Sequence, residues 1–169
     1  VRLPRTAGLS VEPSTFVTGE LGVIAKRAYK KGEILFRVEG PVQARPTKYS
    51  FAVSLDRHIE PEREDGVSDF GHYLNHSCEP NVIVRPVEKG IAAAHIDVIA
   101  RGDIRAGEEL AFDYASLEYE LSIRNAACKC GASKCRKTIH GFKDLPASIK
   151  RRYEKEGLIP PYLLQIAEA

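Results

Sequence analysis

The sequence carries no marked excess of either charge: 25 basic against 23 acidic residues leave a formal +2 over 169 positions. Nucleic-acid surfaces hold phosphates with clustered cations, often interleaved with aromatic platforms, and this chain presents neither pattern. Direct nucleic-acid binding is therefore not expected. No apolar run approaches the length needed to cross a bilayer, and the N-terminal residues do not read as a signal peptide, so no membrane partner is expected either. Low-complexity stretches are missing too. Cysteine is scarce, with four in all and none before Cys78. A chain of this length builds a core without disulfide staples, which points to one globular domain in a reducing, intracellular compartment. Nuclear and cytoplasmic residence stay equally open.

Three of the four cysteines crowd into Cys128-Lys-Cys130-Gly-Ala-Ser-Lys-Cys135, and the fourth lies in Asn75-His76-Ser-Cys78-Glu-Pro-Asn81. A C-x-C-x4-C run offers three thiolates, whereas a closed structural zinc site takes four ligands in a tetrahedron. Cys78 is left to complete it. Two disulfides are the alternative, but the C-x-C pair is too close for easy internal bridging. One zinc ion held by Cys78, Cys128, Cys130 and Cys135 is the preferred reading. It ties the C-terminal tail beside Asn75 and His76, making the tail a wall of whatever site they form. Lys129, Lys134, Arg136 and Lys137 supply cations that offset the net charge of such a centre and favour thiolates.

Most of the chain reads as short strands and turns. Strands are expected at 23–25, 34–38, 48–55, 82–84, 91–100 and 109–114, with residues 57–68 as a charged, solvated excursion. The turn in Tyr29-Lys-Lys-Gly-Glu-Ile-Leu35 resembles that in Ile104-Arg-Ala-Gly-Glu-Glu-Leu110, the same local solution used twice. Residues 117–126 read as a short helix or an irregular linker. A helix is expected over 146–156 with Ile149 and Tyr153 on one face, Asp144 as cap and Gly157 as stop. Pro160-Pro161 then precedes a last apolar stretch from Tyr162 to Ile166.

Three segments carry chemistry. Gly19-Glu20-Leu21-Gly22-Val23 permits close backbone approach to a ligand, although such glycines commonly just make turns. The Asn75–Asn81 run places a buried-type cysteine beside His and Asn, which a turn alone does not require. Ala111-Phe112-Asp113-Tyr114 ends a strand with an aromatic hydroxyl that could equally be core packing. Taken together, G-x-L-G-V, N-H-S-C-x-P-N, G-E-E-L-x-F-D-Y and C-x-C-x4-C-R resemble the SET-domain protein lysine methyltransferases with a post-SET zinc segment. The match runs from Gly19 to about Phe142.

That resemblance implies a mainly β fold of small curved sheets with a knot-like crossing, a post-SET zinc segment and short helices. It divides the chain into a SET domain at 10–115, a post-SET segment at 116–142 and a C-terminal helical extension at 143–169 packed on the same domain. S-adenosylmethionine is the implied methyl donor, and a lysine of a protein or peptide, histone or otherwise, the implied acceptor. Glu20, Leu21 and Gly22 are expected to meet the cofactor through backbone groups, Asn75 its amino-acid end, and the main chain of His76 its adenine. Tyr73 lines the same pocket, Phe142 is a lid over the adenine, and Tyr114 stands at the reaction centre.

Methyl transfer from a sulfonium to an amine is an in-line displacement in which positioning supplies much of the rate. Free lysine has a pKa near 10.4, and an apolar channel beside a cation lowers it. Tyr114 can orient the reactants without exchanging a proton. In the resemblance Phe112 is a size gate: phenylalanine leaves room for di- or trimethylation where tyrosine stops at one methyl. The chain departs from many relatives in lacking a cysteine cluster ahead of the domain, in a short 36–71 segment, and in Val38-Glu39-Gly40 where a Glu-Tyr pair often precedes glycine. An inactive SET-like peptide-binding module and a zinc-dependent nucleic-acid-binding domain are the rival readings.

Overall fold

The computed structural model describes residues 3, 6–62, 69–88, 90, 93–121 and 126–167. Among the described residues, ten short strands form three sheets. The first has the order β1 (Leu9–Pro13), β2 (Leu21–Ala25), β10 (Glu109–Phe112), β7 (Asn75–His76). The second is β3 (Ile34–Val38), β9 (Ala94–Ala100), β8 (Val82–Glu88), and the third is β4 (Val42–Gln43), β6 (His58–Ile59), β5 (Phe51–Ala52). The fold is therefore mainly β. Among the described residues no helix is long and apolar enough to cross a membrane.

Pairing is antiparallel except where β10 meets β7, which run parallel with Ala111 opposite Asn75 and Phe112 opposite His76. Parallel neighbours need a long crossover, and here it carries β8 and β9. Two motifs far apart in sequence thus become adjacent strands. The two similar turns also meet. Gly32 and Gly107 both take left-handed backbone, at φ +84° and +91°. Tyr29 and Ile104, which precede these turns, exchange two N–H···O bonds of 2.9 Å.

The apolar faces of all three sheets share one core that includes Leu9, Val23, Val38, Ile59, Ile96 and Leu110. A second cluster joins Ala115 and Phe142 to Leu145, Tyr153, Leu158, Ile159 and Leu163. The last five come from the C-terminal extension, which holds helix α1 (Ala147–Lys155) and helix α2 (Pro161–Ala167). Tyr162 packs against both clusters.

Several expectations need correction. Only Phe51–Ala52 of the 48–55 segment is strand. The 57–68 excursion contains β6, whose His58 and Ile59 are buried as the central strand of the third sheet; residues 63–68 lie outside the described residues. Charge density along that stretch masked two adjacent residues that are both buried. Asp144 does not cap α1, because it sits in the 3-10 turn Phe142–Asp144 and Pro146 occupies the cap position with no side-chain bond. Residues 117–121 are irregular, and 122–125 fall outside the described residues. Leu9–Pro13, β4 and β7 are strands that were not expected, and the final apolar stretch is helical. Tyr153 and Ile149 do face inward, and Gly157 ends α1 at φ +64°.

Candidate active site

A cavity of about 530 Å³ opens between the first and third sheets, a size that suits a small-molecule cofactor. One group of lining residues comprises Gly19, Glu20, Leu21, Tyr73 and Asn75, and another comprises Phe51, Phe112, Tyr114, Leu117 and Glu118. Ala126 and Ile139 add a wall from the cysteine segment.

The Asn75 amide is aimed by its neighbours. Its Nδ2 donates to the Leu21 carbonyl at 3.0 Å and to Glu109 Oε1 at 2.8 Å. Glu109 is itself buried and accepts from the hydroxyls of Ser14 at 2.9 Å and Thr15 at 2.8 Å. Gly22 explains how this carboxylate fits: a Cβ there would lie 2.2 Å from Glu109 Oε1. Gly22 is thus a space-making residue and is not among the cavity lining.

His76 uses its ring as a bridge. Nδ1 accepts the Tyr114 N–H at 3.2 Å, which leaves Nε2 as the protonated nitrogen, 3.4 Å from Cys78 Sγ. Burial holds its pKa down at about 4, with the Asp113 carboxylate opposing that fall. A neutral imidazole with both nitrogens engaged leaves no free base for catalysis. Tyr114 donates its hydroxyl to the Leu74 carbonyl at 3.2 Å, and its ring lies 4.9 Å from Phe112 and 5.1 Å from His76. Burial, with the Glu20 charge second, raises the phenol to about 12, so it stays protonated at neutral pH.

The four cysteine sulfurs converge, all within 4.8 Å of one another, with Cys78 and Cys128 3.7 Å apart. A zinc ion with 2.3 Å bonds to sulfur sets tetrahedral edges of about 3.8 Å. Backbone N–H groups of Arg136 and Lys137 point at Cys78 Sγ (3.4 Å) and Cys135 Sγ (3.3 Å), as around a thiolate centre. Burial pushes the Cys78 thiol above its ordinary value, so a cation is what such a cluster needs to hold thiolates. The residues fit a zinc site with four cysteine ligands. Phe142, expected over a cofactor, is buried in the second apolar cluster with Lys150 Nζ 5.0 Å above its ring, and it is not among the residues lining the cavity. Phe142 thus packs as a core residue against the C-terminal extension.

Sequence reasoning passed over Glu109, Glu118 and Asp113. Asp113, fully buried, accepts both guanidinium nitrogens of Arg136 at 2.8 and 2.7 Å and the Tyr153 hydroxyl at 2.6 Å. It therefore joins the segment that carries Phe112 and Tyr114 to the residue after Cys135 and to α1. Its signal was the arginine ending the C-x4-C-R run, which is not itself one of the four thiol ligands.

The SET domain family matches residues 20–115. Histone-lysine N-methyltransferase TRX1 of Oryza sativa subsp. japonica is 28% identical over 153 residues, covering 81% of this chain and 14% of that protein. Histone-lysine N-methyltransferase Su(var)3-9 of Drosophila pseudoobscura pseudoobscura is 34% identical over 104 residues, covering 54% and 16%. Among solved structures, KRYPTONITE in complex with mCHH DNA, an H3(1-15) peptide and SAH superposes with a TM-score of 0.63 at 26% identity, covering 78% of this chain and 29% of that one. The chain spans less than a third of the length of each. Because the family match takes in Glu20–Val23, the Asn75–His76 strand and the Phe112–Tyr114 segment, and covers more than half of the sequence, the chain belongs to the SET-domain family.

Proposed function

We propose that this protein is a protein-lysine methyltransferase that takes its methyl group from S-adenosylmethionine, with one structural zinc held by Cys78, Cys128, Cys130 and Cys135. The observation that carries the reading is one cavity bounded both by Leu21 and Asn75 and by Phe112 and Tyr114. That the KRYPTONITE structure holds SAH together with a histone peptide supports a cavity that serves both a donor and an acceptor. Its DNA is not carried over, because a net +2 offers no cationic surface to argue from.

In this reading S-adenosylmethionine, when bound, presents a sulfonium methyl for in-line displacement. Glu20 and Leu21 offer backbone groups to it, Tyr73 an aromatic wall, and Asn75 the polar end, fixed by Glu109. His76 contributes its main chain to the cofactor and its ring to the Tyr114–Cys78 bridge. Tyr114, protonated and anchored on Leu74, orients the reacting groups and holds a dipole in a site where burial makes it effective. Phe112, without a hydroxyl to hold water, leaves space for a methylated amine, which supports di- or trimethyl products. Residues 10–115 then form the catalytic domain, 116–142 the metal-pinned wall, and 143–169 a buttress that reaches Asp113 through Tyr153.

Incubation of the protein with labelled S-adenosylmethionine and a cell extract, followed by hydrolysis, tests this. Labelled methyl-lysine is expected from the wild type and not from Tyr114→Phe. SAH binding without any methyl-lysine would instead favour a peptide-binding module.

A further inference from the structure

Four residues beyond Tyr114 a carboxyl enters the same cavity. The Glu118 N–H donates to the Tyr114 carbonyl at 3.0 Å, closing one helical turn, so the two side chains rise from one face. Glu118 Oε1 accepts the Ala52 N–H at 3.0 Å, which fixes the acid against β5. Phe51, next to Ala52, stacks on Phe112 at 5.5 Å, and Phe112 packs on Tyr114. Tyr114, Phe112, Phe51 and Glu118 thus set three aromatic side chains and one carboxyl in the lining of one cavity. Aromatic faces with an anion among them favour a cation.

We propose that Glu118 is the proton acceptor for the substrate lysine: its carboxylate receives the side chain as an ammonium ion, takes one proton, and leaves a neutral amine facing the methyl donor. The inference rests on the methyltransferase reading above. An N–H bond of the ammonium breaks and an O–H bond forms on Glu118. The freed lone pair then makes the N–C bond to the sulfonium methyl as the C–S bond breaks, its electrons staying on sulfur. Glu118 afterwards returns its proton to solvent.

Desolvation supports this division of labour. Burial pushes the Glu118 carboxyl up to about 7, with the Ala52 N–H pulling the other way. The same burial lowers the pKa of an amine, so the two proton affinities approach each other from opposite sides. The neighbouring titratable groups have other engagements. Tyr162 of α2 donates to the Leu117 carbonyl, and Tyr114 to Leu74. Across the cavity Lys48 lies 4.9 Å over the Tyr49 ring, which stacks on His72 at 3.8 Å. Tyr73, Glu20 and Glu120 complete the titratable lining.

The test is methyl transfer to extract proteins from pH 6 to 9 by wild type, Glu118→Gln and Glu118→Asp, with SAH affinity measured for each. The amide of the glutamine variant can still accept the Ala52 N–H, and unchanged SAH affinity certifies its fold. Wild-type activity is expected to fall on the acid side of about pH 7, where the carboxylate is lost. Glu118→Gln should be at least about tenfold slower at pH 7.5 and recover steadily as pH rises, because only alkali then deprotonates the lysine. Glu118→Asp should restore the acid limb. Wild-type rates in Glu118→Gln, or a loss equal at every pH, would overturn the proposal. A wild type that transfers no methyl at all would instead sink the methyltransferase reading.

Discussion

Tyr114, Phe112 and Asn75 were legible as single residues because their neighbours in sequence are unusual. Glu109, Asp113 and Glu118 were not, since an acidic residue in a short strand or turn looks solvated until the fold surrounds it. Burial is what gives them their chemistry. Replacing Tyr114 by Phe removes one positioned hydroxyl and should lower kcat by about 10²–10³, while leaving SAH affinity, measured by calorimetry, close to that of wild type. Replacing Phe112 by Tyr should shift products toward monomethyl-lysine in mass spectra, and an unchanged di- and trimethyl pattern would refute the gate. Glu118 has a stability consequence as well. A carboxyl whose folded pKa is raised contributes stability below about 4.5 and loses it as pH rises through about 7. Glu118→Gln should therefore melt above wild type at pH 8, and that advantage should vanish at pH 4.

At the scale of elements, β7 beside β10 is what turns two motifs into one site, and no local pattern announced that parallel pair. Strands of two residues carry too little alternation to be read from sequence, which is also why β6 was lost within a charged stretch. The expectation succeeded where periodicity was long enough, in β9 and in α1. The start of β2 depends on Gly22, whose missing side chain admits the Glu109 carboxylate. Gly22→Ala must displace an acid pinned by Ser14, Thr15 and Asn75, so SAH binding should weaken by about tenfold or more, a loss of about 1.4 kcal/mol. A further test lies where α1 meets Asp113. Asp113→Ala leaves the Arg136 guanidinium without its buried partner and should cost about 3–5 kcal/mol in urea unfolding. Tyr153→Phe removes one hydroxyl from the same carboxylate and should cost only about 1 kcal/mol.

For the whole molecule, the cysteine pattern disclosed more than any other feature: the trio and Cys78 come together as the ligand count required. What spacing could not reveal is how the cysteine segment is wired to the cavity. Cys78 meets the His76 ring, that ring receives the Tyr114 N–H, and Arg136 beside Cys135 grips Asp113. Ala126 and Ile139, flanking the trio, close one side of the cavity. Metal occupancy and catalysis should consequently rise and fall together. The most direct measurement strips the protein with a chelator, returns zinc in sub-stoichiometric steps, and follows methyl-lysine formation at each step. Activity climbing to a plateau at one zinc per chain is the predicted result. Full activity in the metal-free protein, or none at any zinc level, would contradict it.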